Sequence, residues 1–281
     1  MKTIVFLGGG RITGALLAGL RRAKYSGRLV VHDRHPEKLR RLQKLYRVTT
    51  ERSLERAVLR ADLLIIAVRP VSVGRLLQEI GEFRRPTIAV SLAAGIPLSF
   101  LKKRLGPRVC WARAMPSPVC RSGRGLTAVS FARDFPHAAR RQVRSLFAHV
   151  GPVLEIPEKK FDAFTVTFSC SHGYHALATL AAAAANAGLD RKTSLIAAAH
   201  ALADGIAAWR EGNISLDALL QEAATPGGIA ATVVETMNRA GYATVVERGL
   251  AAGLSVAKKN ARRVQASPEN RFAKRKSRIP R

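Results

Sequence analysis

The sequence predicts an α/β protein whose N-terminal half is a doubly wound parallel sheet and whose C-terminal part is all α. Short runs of β-branched and aliphatic residues alternate with helical stretches of about 10–15 residues up to residue 156. From residue 161 these runs stop, and an alanine-rich helical periodicity continues to about residue 260. We therefore predict a Rossmann-type domain at residues 1–157, a helical domain at 158–260 and a basic, disordered tail at 261–281.

The composition is globular, but the charge is extreme. Hydrophobic residues make up 47% of the chain, which is enough for a sizeable core, and the formal net charge is +28. Such a charge is frequent in nucleic-acid binders. No helix-turn-helix, zinc finger or aromatic RNA-binding motif accompanies it. We therefore attribute the charge to solvated arginines and do not expect nucleic acid as a partner.

Cysteine usage and hydropathy indicate a cytoplasmic protein. The three cysteines form no Cys-x-x-Cys pair, and their odd number argues against a disulfide framework. The apolar run at residues 4–7 meets Gly8 at once and is too short for an export signal. The uncharged run at residues 163–189 is long enough for a membrane span. Its histidines, asparagine and many alanines instead predict a buried helix, so we expect no membrane partner.

The segment that organises the chain is residues 3–16, where an apolar strand meets a glycine turn and then a helix. This is the layout of a dinucleotide-binding site. Gly8 permits the tight turn, and Gly10 lets the backbone approach a pyrophosphate. The helix N-terminus adds unpaired N–H groups and a partial positive charge. A plain structural turn between a strand and a helix would give the same pattern.

The end of the second predicted strand carries conflicting signals about the cofactor. Asp33 lies where an acid would bind a ribose hydroxyl. Arg34 follows it directly, and His35, Lys38 and Arg40 are near, which suits a 2′-phosphate instead. This convergence of cations favours NADPH, with NADH as the alternative. Ligands of such sheets lie at the carboxyl ends of the strands, and four more segments reach that rim: residues 8–12, 68–70, 93–95 and 113–117.

A second helix start lies at residues 224–230. Thr225 is expected to cap the helix, and Pro226 to occupy its first turn. Gly227 and Gly228 leave backbone N–H groups bare, which suits an anion such as a carboxylate. An ordinary capped turn between two helices explains the same residues.

Taken in order, these motifs resemble those of the pyrroline-5-carboxylate reductase family over about residues 1–258. The segments that carry the resemblance are Gly8-Gly9-Gly10-Arg11-Ile12, Ala67-Val68-Arg69-Pro70, Ser91-Leu92-Ala93-Ala94-Gly95-Ile96, Arg113-Ala114-Met115-Pro116, Gly123-Arg124-Gly125-Leu126-Thr127-Ala128, Phe161-Asp162-Ala163 and Pro226-Gly227-Gly228. The cofactor residues that follow from the resemblance and from the strand ends are Gly8, Gly10, Arg11, Ile12, Asp33, Arg34, Ala67, Val68, Arg69, Pro70 and Ala93. The implied substrate residues are Met115, Pro116, Thr225, Pro226, Gly227 and Gly228.

The resemblance implies hydride transfer from NAD(P)H to the C=N carbon of a cyclic imine carboxylate, which gives proline. It also implies a homodimer or higher homo-oligomer formed through the helical domain, with an active site that combines two chains. No metal is expected. The chemistry asks little of side chains beyond orientation, closure and placement of charge.

This sequence departs from the family pattern where the substrate would bind. The family's second Thr after Gly-Gly falls on Ala230, and the Asn of its Met-Pro-Asn falls on Ser117. Its Gly-Ser-Gly-Pro-Ala-Tyr becomes residues 169–174, in which His172 replaces Pro. The predicted catalytic candidates are therefore Thr225, His172 and Thr232. A helix-end histidine with a structural hydrogen bond is an equal interpretation of His172.

Three alternatives stay open from the sequence. One is a related imine reductase with another substrate. A second is a β-hydroxyacid dehydrogenase-like enzyme, which needs a lysine on the first helix of the helical domain; residues 161–189 contain none. The third is a non-catalytic NADP-binding regulator or a nucleic-acid-associated protein, suggested by Ala230 and by the charge.

Overall fold

The computed structural model describes residues 2–169 and 171–266, which form two compact units. The first unit holds residues 2–168 and 253–266, and the second holds residue 169 and residues 171–252. Cys170 and most of the predicted tail lie outside the described residues.

The first unit is built on one eight-stranded sheet with the order β3-β2-β1-β4-β5-β6-β7-β8. Neighbouring strands are parallel except β6 and β7, which are antiparallel. The buried strands are continuous apolar runs because helices cover both faces. The strands are β1 (Thr3–Leu7), β2 (Arg28–His32), β3 (Thr49–Thr50), β4 (Leu63–Ile66), β5 (Thr87–Ser91), β6 (Val109–Pro116), β7 (Thr127–Phe131) and β8 (Val153–Glu155).

Two helical layers sandwich the sheet, and each has its own core. Alternate residues of β1 point to opposite faces, so that Ile4 and Phe6 belong to one core and Val5 and Leu7 to the other. The first core is covered by α1 (Arg11–Arg22), α2 (Pro36–Tyr46), a 3₁₀ helix (Pro118–Ser122) and α6 (His137–Ala148). The second is covered by α3 (Leu54–Leu59), α4 (Pro70–Ile80) and α5 (Leu98–Leu101). The predicted doubly wound sheet is confirmed.

The second unit is helical throughout its described residues. It contains α8 (Ser171–Asn186), α9 (Arg191–Glu211), α10 (Leu216–Ala223), α11 (Ile229–Arg239) and the start of α12 (Tyr242–Ala266). The N-terminus of α9 is capped by Asp190, whose carboxylate accepts from the amides of Lys192 and Thr193. Among the described residues, no helix combines the length and the apolar character needed to cross a membrane.

The described units do not follow the predicted boundaries. α7 (Glu158–Thr167) and residues 253–266 of α12 pack with the sheet unit rather than with the other helices. The predicted tail starts too early, because α12 continues to Ala266 and Val264 is buried in the second core. One apolar residue per turn was too sparse a signal to reveal this in a charged stretch.

Candidate cofactor site

In the turn after β1, the backbone geometry requires glycine at Gly8. Its φ is +113°, and a Cβ there would lie 2.6 Å from the carbonyl oxygen of Ala67 on the neighbouring strand. Both facts exclude a side chain. Gly10 differs, because a Cβ on it would meet nothing within 4 Å. The turn therefore brings Gly8 into close contact with the sheet and leaves Gly10 open to a ligand.

Helix α1 presents a bare N-terminus to that open space. Its N-cap residue is Gly10, and no side chain caps it. The first N–H groups of a helix have no partner within the helix, so those that follow Gly10 are available to an anion. Thr13 is buried and donates its hydroxyl to the carbonyl of Gly8 at 2.5 Å, which holds the turn against the helix.

Asp33 is occupied within the protein. One carboxylate oxygen accepts from the Gly9 amide at 2.7 Å, and the other accepts from the backbone and ring nitrogens of His35. Lys38 lies 3.7 Å away. Burial alone would raise the pKa of Asp33, but these hydrogen bonds and the Lys38 charge outweigh it and lower the pKa. Asp33 therefore fixes the glycine turn as an anion.

A cavity of about 710 Å³ opens at this end of the sheet. This is a volume typical of cofactor sites. More cationic than anionic side chains line the cavity, because its only acids among the described residues are Asp33 and Glu79. Each of these two acids already pairs with a side chain of the protein. The predicted cofactor residues that line it are Gly8, Gly10, Arg11, Asp33, Arg34, Ala67, Val68 and Arg69. A polyanionic dinucleotide fits such a cavity.

Three predicted cofactor residues do not line the cavity. Ile12 packs against the first core, and Pro70 is the first residue of α4. Ala93 is buried in the second core, in the loop that follows β5. In that loop Gly95 has a φ of +75°, and a Cβ there would lie 2.5 Å from the carbonyl oxygen of Ala257 in α12. Ala93 is thus part of a loop against which the last helix packs.

Arg113, inside β6, is the buried centre of an ionic cluster. Its side chain is 2% exposed, and its guanidinium bonds Glu158 at 3.1 Å and Asp162 at 2.5 Å, both on α7. It also lies over the ring of Phe161, 4.3 Å from the centroid. Glu158 in addition accepts from the amide of Leu98 at 3.0 Å. This cluster was not predicted from the sequence, although an arginine inside a buried strand requires a carboxylate partner.

The neighbouring substrate candidates of the first unit sit just past Arg113. Met115 is half-buried and Pro116 is buried. Ser117 caps the 3₁₀ helix by accepting from the amide of Val119 at 3.2 Å. Its hydroxyl therefore stabilises the start of the 3₁₀ helix. No group of His, Cys, Asp and Glu suited to a metal ion occurs among the residues that the structure describes.

The remaining candidates belong to the second unit. Thr225 does not cap α11, because Gly228 is the N-cap and no side chain caps the helix. Thr225 instead opens a turn whose carbonyl accepts from the Gly228 amide at 2.9 Å. The hydroxyl of Thr232 donates to the carbonyl of Gly228 at 3.1 Å. His172 is exposed in the first turn of α8.

The helices of the second unit leave large apolar side chains uncovered. Neither α8 nor α10 has a buried residue. Leu195, Trp209 and Val233 are 51%, 47% and 52% exposed, and Ile229 is 88% exposed. Large apolar side chains uncovered in such number are typical of an interface. These helices are therefore shaped for burial against another chain.

Two family models match the chain, one in each half. Residues 3–95 match the model described as NADP oxidoreductase coenzyme F420-dependent, and residues 158–260 match pyrroline-5-carboxylate reductase dimerisation. The pyrroline-5-carboxylate reductase of Mycobacterium leprae is 30% identical over 279 residues, which cover 90% of this chain and 94% of that protein. The one from Thermus thermophilus is 38% identical over 224 residues, which cover 77% and 80%.

A solved structure shows the same fold. The crystal structure of Plasmodium falciparum pyrroline carboxylate reductase with NADP bound has a TM-score of 0.82 to this chain at 20% identity. The match covers 92% of this chain and 98% of that one.

The cavity and these matches define an NAD(P)H-dependent oxidoreductase with a Rossmann-type domain. More narrowly, the chain belongs to the pyrroline-5-carboxylate reductase family. It carries the dimerisation segment of that family, so its uncovered helices form a homo-oligomer interface.

Proposed function

We propose that this enzyme reduces the C=N bond of pyrroline-5-carboxylate with NADPH and forms proline, in the reducing environment of the cytoplasm. The observation that carries the proposal is the match of both halves of the chain, in order, to relatives of that name over nearly their whole length. The electron balance is simple. NADPH supplies the hydride to the imine carbon, and the ring nitrogen ends as an amine after gaining a proton.

The residues of the cavity suit the cofactor. The bare amides after Gly10 bind the pyrophosphate at the N-terminus of α1. Arg34 and Lys38 line the cavity beside the end of β2 and bind the 2′-phosphate. One oxygen of Asp33 accepts from Gly9 and the other from His35, so Asp33 keeps acceptor capacity toward the cavity that it lines. Arg34 and Lys38 therefore support NADPH, and Asp33 leaves NADH as the alternative cofactor.

The turn before α11 suits the substrate carboxylate. Gly227 has a φ of +76°, and a Cβ on it would meet nothing within 4 Å. The turn is exposed, and its amides precede a helix that no side chain caps. The Thr225 hydroxyl adds a donor to the same anion. Thr232 donates its proton to Gly228, so toward a protonated imine its hydroxyl oxygen acts as an acceptor.

A related imine reductase is the second candidate function. It is favoured by Ala230, which stands where the family has a threonine and is exposed without a hydroxyl. His172 then remains the ionisable candidate for the proton that the ring nitrogen gains. The two functions share the cofactor site and differ in the imine that is turned over.

The deciding assay is oxidation of NADPH by purified protein with pyrroline-5-carboxylate, with proline identified as the product. Gly227→Asp should abolish turnover by repelling the carboxylate and blocking the amides, while NADPH affinity stays normal. Gly241→Asp is the matched control, since Gly241 has a φ of +80° and equally open surroundings. Turnover of other imines alone would select the second function.

Cofactor choice is tested at Arg34. Arg34→Ala should raise KM for NADPH at least tenfold and leave KM for NADH unchanged, because only NADPH carries the 2′-phosphate. Arg40→Ala is the control, because Arg40 is exposed on α2 and does not line the cavity. Equal effects of Arg34→Ala on both cofactors would remove the role.

A further inference from the structure

The two helical layers that cover the sheet differ in charge. α1, α2, the 3₁₀ helix and α6 share one core and so lie on the same face. Glu37 is the one acidic residue in these four elements, whereas α3 and α4 on the other face carry Glu55 and Glu79. We call the exposed cations of the first face the basic layer: Arg21, Arg22, Lys24, Arg40, Arg41, Lys44, Arg47, Arg121, Arg124, Arg141 and Arg144.

Contacts between the elements draw these cations together near the C-terminal end of α1. The guanidinium of Arg21 donates to the carbonyls of Tyr46 and Arg47 at the end of α2. The side chain of Arg22 reaches Gly123, which lies between Arg121 and Arg124. The cations at the C-terminal ends of α1 and α2 and around the 3₁₀ helix therefore lie close to one another.

The charge of the basic layer is not neutralised by the protein. Within the described residues, Arg144 is its one member that pairs with a carboxylate, at 3.4 Å from Glu155. On the opposite face five cations do pair: Arg56 and Arg60 with Glu51, Arg75 with Glu79, Arg85 with Asp62, and Lys102 with Asp134. Like charges that are held together repel one another, and a bound polyanion lowers this repulsion.

Two members of the layer occupy strained backbone. Lys24 has a φ of +52° and Arg47 a φ of +50°, each just past the end of a helix. Glycine fills such positions most easily. A cation there interacts favourably with the helix dipole, and it also places its charge at the junction where α1 and α2 meet. Lys24 and Arg47 therefore add positive charge at the junction of α1 and α2.

Contrary to the expectation from the sequence, we propose that the basic layer binds the phosphate backbone of duplex nucleic acid. Arginine predominates in it, and its planar guanidinium matches phosphate. The exposed large apolar side chains of these elements are Leu45 and Val119 among the described residues, and neither is aromatic. The layer thus offers no anchor for a membrane and no platform on which single-stranded bases stack. Binding without base contacts is independent of sequence.

The part of the layer at the C-terminal end of α1, which the variants below change, is separate from the cofactor cavity. The cavity lies at the N-terminus of α1, and Arg21 and Arg22 lie at its C-terminus. A helix rises 1.5 Å per residue, so the two ends of this 12-residue helix are about 18 Å apart. Variants of the layer therefore leave NADPH binding intact, and the inference stands apart from the proposed reaction.

The test is fluorescence anisotropy of a labelled 20-base-pair duplex of mixed sequence with the full chain, at several salt concentrations. The layer variant combines Arg22→Gln, Arg121→Gln and Arg124→Gln. The control removes the same charge from the opposite face with Arg52→Gln, Arg84→Gln and Lys103→Gln, all exposed. NADPH affinity shows that both variants are folded.

Each lost phosphate contact lowers the slope of log K against log salt by about 0.9. The layer variant should therefore lose about 2–3 in slope, and the control less than about 1. Equal losses in both variants would show a response to net charge alone and overturn the proposal. So would an absence of binding at 50 mM salt, or tighter binding to vesicles with 20% anionic lipid than to the duplex.

Discussion

Replacing Arg113 with methionine should destabilise the sheet unit by about 3–4 kcal/mol. The change removes two charge-assisted hydrogen bonds, each of which contributes at least about 1.5 kcal/mol. It also removes a cation–π contact with Phe161 that adds about 1 kcal/mol. Methionine keeps part of the apolar contact with the ring. Glu158 and Asp162 are 33% and 35% exposed and can rehydrate, so the loss stays at the lower end of the range for broken buried pairs.

Urea unfolding at fixed protomer concentration measures this loss, because an oligomer's stability depends on concentration. Trp111 is 1% exposed and lies two residues from Arg113, so its fluorescence reports on this unit. A Trp209→Phe background makes it the sole tryptophan, since the chain has 2.

Arg140→Met is the matched control. Arg140 also bonds a carboxylate, Glu155 at 2.9 Å, and lies over a ring, Phe131 at 4.9 Å, but its side chain is 31% exposed. We expect a loss of about 1 kcal/mol or less there. If the two variants lose the same free energy, burial does not set the contribution of Arg113 and the reasoning is wrong.

Two further predictions concern the glycine turn and the loop after β5. Gly95→Ala should lose about 2–4 kcal/mol in urea unfolding, because left-handed strain and the contact with Ala257 act together; Gly81→Ala, with φ +72° and open surroundings, should lose only about 1, and equal losses would contradict the contact. The lowered pKa of Asp33 means that its ionised form stabilises the fold above the unfolded-state pKa and that this stabilisation disappears as pH falls through the folded-state pKa. The stability difference between wild type and Asp33→Asn should thus be constant from pH 5 to 8 and shrink below about pH 4; a difference unchanged at pH 3 would refute it.

The sheet was predictable because its signals are local. A few neighbouring residues are enough to predict β4 from its apolar run and the turn at Gly8 from its glycines. The alternation of strands and helices then limits the topology. The cofactor rim follows from the same rule about strand ends, so the cavity lining at the strand ends was predicted with it, whereas the lining residues on α4 were not.

The missed features all depend on partners distant in sequence. The partner of Arg113 lies 45 residues away at Glu158. The amide of Gly9, which Asp33 also accepts from, lies 24 residues before it. Thr225 looked like a cap from its residue type, yet the helix begins at Ile229, and only the turn geometry reveals this. Pattern alone does not identify such long-range pairs.

The path of α12 bears on how the protein is made. This helix starts in the second unit, and its final residues return to the sheet unit, where Val264 fills the second core and Asn260 bonds the carbonyl of Ala94 at 3.4 Å. Chains fold from the N-terminus as they leave the ribosome. The sheet emerges first but lacks a piece of its own core until almost the whole chain has been synthesised. The core of the nascent sheet unit therefore stays incomplete while the helices that follow it are translated.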